Sequence, residues 1–190
     1  ALTEELPVDI KVNGAVLLEG FEFRSFTDAL TLPEGPYRIE VGLADPLNPG
    51  SQPALIDVTV NLVSGESSTI LAFLDDTGGI TAGVFANNTE EPIRRRGFVS
   101  AAHTAYAPSV DLRVRRIDDA NNVSLASVTN GLQGTGLFRT GVIGLDVVAA
   151  GTTTQVVGPV FLSVLPRSNM AIFVVGSLSN GTLEALTLTY

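Results

Sequence analysis

One five-residue pattern occurs twice in this chain, and it constrains the fold more than any other feature. Val8-Asp9-Ile10-Lys11-Val12 is matched by Val110-Asp111-Leu112-Arg113-Val114, 102 residues later. Apolar and polar residues alternate in both segments, which is typical of a β-strand with one buried face. The recurrence indicates two copies of one unit, which we assign to residues 1–88 and 89–190.

Alternating segments and turn residues continue along the whole chain, and no segment keeps a 3.6-residue period. Asn13-Gly14 directly follows the first alternating segment, and this pair is the strongest short signal of a β-hairpin. Hydrophobic residues make up 45% of the chain and aromatic residues only 6%, so aliphatic cores are expected. We therefore predict an all-β protein of two tandem immunoglobulin-like antiparallel β-sandwiches.

The second copy contains a strand that the first copy lacks. Phe98–Ala102 and a turn precede Val110, whereas only seven residues precede Val8. We therefore predict that the first sandwich lacks its N-terminal strand and has an open, strand-accepting edge at Val8, Ile10 and Val12. Open edges expose unpaired backbone groups. A removed segment, the C-terminal strand of the same chain, or β-augmentation by a neighbouring molecule would fill it.

The turn before the second alternating strand carries the only histidine, His103, followed by Pro108, Ser109 and Asp111. Histidine, serine and aspartate together suggest a hydrolytic triad, which requires the serine on one ring nitrogen and the carboxylate on the other. Asp111, however, lies in an alternating strand, where we expect it to face solvent or to cap the turn. His103 is expected to bind the turn backbone, and we predict no catalytic residues.

This stretch resembles a family of secreted and surface-attached bacterial proteins of unknown function. The repeats of that family carry a His-Ala-Ser-Pro-Asp-Ala-Pro turn followed by Val-Asp-Val. The second copy agrees at His103, Ala107-Pro108 and Val110-Asp111 but differs at Thr104 and Tyr106. The first copy agrees at Val8-Asp9, Asn13-Gly14 and Leu32-Pro33-Glu34-Gly35-Pro36-Tyr37 and lacks the histidine turn. The resemblance implies tandem immunoglobulin-like sandwiches outside the cell, with no known catalytic residues.

The charge of the chain argues against several classes of partner. The formal net charge is −9, which repels the phosphates of nucleic acids and anionic lipid headgroups. Arg94-Arg95-Arg96 lies beside Glu90 and Glu91, and we interpret this run as a linker and the start of a strand and not as a nucleic-acid patch. No apolar run approaches the ~18 residues of a membrane span. We expect no nucleic-acid partner, no membrane insertion and no cofactor.

The chain contains no cysteine, which excludes thiolate metal sites, but two acidic turns offer oxygen ligands. Asp75 and Asp76 form one such turn, and Asp118 and Asp119 form another. Calcium requires six to eight oxygen ligands, and neither turn has the spacing of a calcium loop. Aspartate is also favoured in turns for its own backbone hydrogen bonds, so we predict no metal and keep these residues as weak calcium candidates.

The low charge fraction of 16% favours an extracellular or assembled protein over a typical cytosolic enzyme. The main hypothesis is a non-catalytic extracellular structural protein that self-associates by strand donation into a filament or surface layer. The alternative is a cell-surface adhesion module that binds glycan or matrix through Tyr106 or the loop Asp45–Pro53.

Overall fold

The structure, a computed structural model, describes residues 6–117 and 122–190. Within these ranges the regular elements are β-strands, and no helix is present. The all-β class is therefore confirmed. The strands are β1 (Val8–Val12), β2 (Ala15–Phe21), β3 (Gly35–Leu43), β4 (Ala54–Leu62), β5 (Ser68–Leu74), β6 (Ile80–Ala86), β7 (Arg96–His103), β8 (Val110–Arg116), β9 (Asn122–Val128), β10 (Leu132–Arg139), β11 (Gly141–Ala149), β12 (Gln155–Val164), β13 (Asn169–Val175) and β14 (Glu184–Thr189).

The chain divides into two compact units, Ala1–Glu66 and Ser67–Tyr190. The first unit holds one antiparallel sheet in the order β2-β1-β3-β4. Asn13 and Gly14 both have positive φ, 51° and 81°, and they form the tight turn between β1 and β2 that the sequence predicts. The buried side chains of this sheet belong mainly to β3 and β4 and include Ile39, Val41, Ile56 and Val60.

The second unit contains a β-sandwich. One sheet has the order β12-β11-β8-β9 and the other β10-β7-β13-β14. Apolar side chains of both sheets form one core cluster, and its fully buried members include Leu112, Ile143, Leu145 and Ile172, each 0% exposed. Strand β7 pairs with β13 in parallel, whereas the other ladders of this unit are antiparallel. This parallel pairing places β7 in the interior of its sheet.

The hairpin β5–β6 belongs to the second unit, so the unit boundary lies after Glu66 and differs from the predicted boundary at residue 88. The aromatic rings explain this assignment. The ring of Phe85 on β6 meets the ring of Phe173 on β13 edge-on, with centroids 5.5 Å apart. Every residue of β13 is buried, because one face of the strand contributes to the sandwich core and the other contacts the hairpin.

The predicted open edge at Val8, Ile10 and Val12 is not present. Strand β1 pairs with β2 on one side and with β3 on the other, so it is an interior strand of its sheet. The three residues are each half-buried. The prediction is wrong because it assumes that a strand preceding β1 would pair with β1. In the second unit β7 precedes β8, yet the two strands belong to different sheets.

Candidate functional site

The histidine turn, residues 104–109, carries the chain from one sheet of the sandwich to the other. The backbone N–H and the hydroxyl of Thr104 both donate to the carbonyl of Val174, at 2.9 and 3.0 Å. The N–H of Tyr106 donates to the carbonyl of Gly176 at 2.8 Å. These bonds continue the β7–β13 ladder past the end of β7, so the first half of the turn is held as firmly as a strand.

His103 is buried in the protein, and its ring contacts the backbone of the histidine turn. Its side chain is 0% exposed. Nε2 lies 3.2 Å from the carbonyl oxygen of Pro108, and Nδ1 faces the N–H of Ala105 at 3.5 Å. A carbonyl can only accept, so Nε2 carries the proton, Nδ1 is the acceptor and the ring is neutral. Burial lowers the pKa of His103, and this effect outweighs the opposing hydrogen bonds to the Pro108 and Ala107 backbone.

The geometry does not assemble the three side chains of a hydrolytic triad. Both nitrogens of His103 face backbone atoms of its own turn, as the sequence predicts, and neither is directed at Ser109. The carboxylate of Asp111 is used elsewhere. A triad requires the imidazole to bridge the serine and the carboxylate, so His103, Ser109 and Asp111 are not arranged for nucleophilic catalysis.

Asp111 is a buried anchor of the second unit. It is 7% exposed and its carboxylate accepts N–H groups outside the histidine turn, so the expectation that it faces solvent or caps the turn is wrong. One carboxylate oxygen accepts the N–H of Ser127 at 2.6 Å, and the other accepts the N–H of Gly151 at 3.2 Å. Arg113 lies at 3.9 Å and partly balances the charge. Through these hydrogen bonds, Asp111 links β8 to segments on both sides of it, namely a bulge in β9 and the loop that follows β11.

Asp9 has the same role in the first unit. It is 2% exposed. One oxygen accepts the N–H of Gly20 at 2.9 Å, and the other accepts the N–H groups of Gly50 at 2.8 Å and Asp45 at 3.2 Å. These backbone hydrogen bonds lower the pKa of Asp9. The hydrogen bond from Gly50 has the largest effect, and the one from Gly20 follows. The Val-Asp pattern that recurs in the sequence is therefore a structural anchor.

Asp75, one of the weak calcium candidates, accepts hydrogen bonds from residues of its own turn. Its Oδ1 accepts the N–H of Thr77, the hydroxyl of Thr77 and the N–H of Gly79, at 2.7–2.9 Å. These bonds lower its pKa. Asp76 is exposed, and Asp118 and Asp119 lie outside the described residues. Residues 6–117 and 122–190 contain no group of three or more histidine, aspartate or glutamate side chains able to hold a metal ion.

Asn130, which no sequence pattern singles out as functional, connects the hairpin β5–β6 to the histidine turn. Its side-chain amide donates to the carbonyl of Ala105 at 2.7 Å and to the carbonyl of Leu74 at 3.0 Å. Asn130-Gly131 reads in sequence as a turn, and Gly131 does have positive φ, 82°. The dipeptide gives no sign that the asparagine amide also links two other segments, because its partners are 25 and 56 residues away.

The loop Asp45–Pro53 is held together by hydrogen bonds to Asp45 and exposes the hydrophobic side chain of Leu47. Asp45 accepts hydrogen bonds from the N–H groups of Leu47 and Asn48 and from the side chains of Ser51 and Gln52. Leu47 is 96% exposed at the tip of this loop. Tyr106, the other residue predicted for binding, is half-buried, with its ring beside Gly78 in the β5–β6 turn.

Comparison with known families places these features in a wider group. Residues 1–113 match the family model of a domain of unknown function, DUF4397. The match covers more than half of the chain. This chain belongs to the DUF4397 family. The matched DUF4397 segment begins before β1, ends within β8, and includes Asp9, the hairpin β5–β6, His103 and Asp111.

A search of curated proteins finds no match to this DUF4397 chain. In the parts of the chain that the structure describes, no helix has both the length and the apolar character that crossing a membrane would require.

Proposed function

We propose that this DUF4397 protein is a non-catalytic structural protein of the cell surface or extracellular space, and that it associates with further copies of itself. The observation that carries the proposal is the hairpin β5–β6. It forms a sheet of only two strands, so within the described residues neither strand has a ladder partner on its outer side. Neither strand contains a charged residue or a proline, which are the usual protections of an exposed edge.

The hydrogen bonds of the polar motif residues support a non-catalytic role. His103, Asp9 and Asp111 bond to backbone atoms, and each is buried. A catalytic group instead needs a free atom within reach of substrate. The extracellular location is supported by the low charge fraction of the chain, 16%.

We also propose that the chain carries two copies of one unit. Two observations support it. The sheet order β2-β1-β3-β4 of the first unit corresponds strand by strand to β9-β8-β11-β12 of the second. In both sheets a buried aspartate lies at the second position of the interior strand, opposite a bulge.

Self-association is tested by sedimentation velocity over a wide concentration series, combined with negative-stain electron microscopy. We expect the weight-average mass to rise above 19.8 kDa as concentration increases, with paired particles, filaments or sheets in the images. A mass that stays at the monomer value over the whole series contradicts the proposal.

The second candidate function is adhesion to glycan or matrix, and Leu47 favours it. A leucine that is almost fully exposed at the tip of an ordered loop can insert into an apolar pocket of a partner at little cost in conformational entropy. Glycan and matrix arrays probed with the wild type and with Leu47→Asp test this function. Binding that Leu47→Asp abolishes supports adhesion, and absence of binding by the wild type contradicts it.

A further inference from the structure

The hairpins β5–β6 and β13–β14 occupy corresponding places in the chain. Ile70 on β5 precedes Ile172 on β13 by the same 102 positions that separate Asp9 from Asp111. The turns that lead into the two hairpins also correspond, because Gly65 and Arg167 both have positive φ, 79° and 59°. Strand β13 is paired on both sides, by β14 and by β7. Strand β5 is paired only by β6 within the described residues.

The register of the hairpin identifies which backbone groups are open. Backbone hydrogen bonds join Asn87 N to the Ser67 carbonyl and Asp75 N to the Gly79 carbonyl. In an antiparallel ladder, alternate residues bond to the same neighbour. Odd-numbered residues of β5 therefore bond to β6, and the N–H and C=O groups of Ser68, Ile70 and Ala72 point outward.

At the C-terminal end of β5, the outward backbone carbonyl already has a hydrogen-bond partner. The outward carbonyl of Leu74 accepts the amide of Asn130. The corresponding carbonyl on the other hairpin, that of Gly176, accepts the N–H of Tyr106. The open part of β5 is therefore the stretch from Ser68 to Ala72, and it lies where β7 lies against β13 in the corresponding hairpin.

The surroundings of this edge fit another copy of the same chain. Residues 67–74 and 80–89 contain no charged side chain, although the whole chain carries a formal charge of −9. Two copies with this net charge repel each other, and an uncharged edge keeps like-charge repulsion low where the two copies meet. Ile70 is 39% exposed and Val84, opposite it on β6, is 49% exposed. Pairing through β5 would cover part of this apolar surface.

We propose that the outer edge of β5 pairs with β5 of a second copy, antiparallel and across a two-fold axis that passes beside Ile70. Each copy then supplies the donors and acceptors that the other lacks, and the hairpins form one four-stranded sheet in the order β6-β5-β5-β6. The inference rests on the proposed self-association and specifies its surface and symmetry. A two-fold contact of this kind is closed, so it produces a dimer and not a filament.

Single-cysteine variants of the full chain test the pairing, because the natural chain contains no cysteine that would compete. Ile70→Cys places two thiols directly opposite each other across the axis, about 5.5 Å apart between Cα atoms. Val84→Cys is the matched control, since it lies on the same face but one strand further from the axis. Under mild oxidation we expect a disulfide-linked dimer for Ile70→Cys and little for Val84→Cys.

Charge variants provide a second measurement that does not depend on disulfide geometry. Ile70→Lys places like charges opposite each other and should weaken the association by about tenfold or more, whereas Val84→Lys should change it by less than about twofold. Circular dichroism spectra that match the wild type establish that both variants fold.

The outcomes separate this inference from the proposal on which it rests. A wild-type chain that is monomeric at every concentration refutes both. A wild-type chain that associates, with equal cross-linking of the two cysteine variants and equal effects of the two lysine variants, refutes the β5 pairing and leaves self-association standing. Filaments that persist in Ile70→Lys also overturn the closed two-fold dimer.

Discussion

Asp9 and Asp111 are each the second residue of an interior strand, β1 and β8, and each accepts hydrogen bonds from two backbone N–H groups that belong to residues with left-handed φ. For Asp9 these residues are Gly20, with φ of 59°, and Gly50, with φ of 73°. For Asp111 they are Ser127, with φ of 55°, and Gly151, with φ of 69°. A buried carboxylate thus stabilises two conformations that L-residues rarely adopt.

Replacement of Asp111 by asparagine should destabilise the second unit. An amide has one acceptor oxygen, so it can serve only one of the two N–H groups and directs its own donor at the other. We expect the free energy of unfolding to fall by about 1–3 kcal/mol, measured by urea titration. Asp146→Asn is the matched control, because Asp146 pairs with the half-exposed Arg115 and its loss should cost less than about 1 kcal/mol. Equal effects would contradict the anchoring role.

The stability of the protein should decrease as pH falls below about 6.5, the ordinary pKa of histidine. Burial lowers the pKa of His103 in the folded state, so the unfolded chain binds a proton more readily in this range. Acid therefore favours unfolding until the pH falls below the folded-state pKa. Free energies of unfolding measured between pH 5 and 8, at ~0.5-unit steps, should show this slope in the wild type and lose it in His103→Gln. A slope that persists in the variant would assign the effect to another group.

Phe85→Ala should destabilise the protein strongly, because Phe85 is 3% exposed and packs between the rings of Phe73 and Phe173. Removing a buried aromatic ring typically costs about 3–5 kcal/mol. Phe161→Ala is the control on an exposed strand position, 60% accessible, and should change the free energy of unfolding by about 0.5 kcal/mol or less. Thermal and urea unfolding of both variants measure the difference. A small effect of Phe85→Ala would indicate that the hairpin is not packed on β13.

Calcium should leave the melting temperature unchanged. Three hydrogen bonds already occupy one oxygen of Asp75, and a calcium ion would have to displace them to bind there. Differential scanning fluorimetry with excess calcium and with chelator tests this expectation. A rise in melting temperature that Asp75→Asn abolishes would place an ion in this turn. A rise that the variant retains would place it elsewhere, with Asp118 and Asp119 as the first residues to examine.

Local patterns predicted the elements of this fold well. Alternation identified β1 and β8, and Asn13-Gly14 identified the turn after β1, because strand faces and left-handed turns depend on residues that are adjacent in sequence. His103 was correctly expected to bind its own turn. The role of Asp111 was not predictable, because alternation places it on the polar face of the strand and the N–H groups that it binds are 16 and 40 residues away.

The sequence by itself determined that the chain is all-β, that one strand pattern occurs twice in it, and that a strand precedes the second occurrence. The tertiary structure alone decided where such a strand belongs. Strand β7 runs directly into β8 through the histidine turn, but it pairs with β13, 71 residues away at Asn169↔Phe98. Neighbours in a sheet are chosen by backbone pairing and burial between distant segments. For this reason β1 is paired on both sides, whereas β5 has a single ladder partner within the described residues.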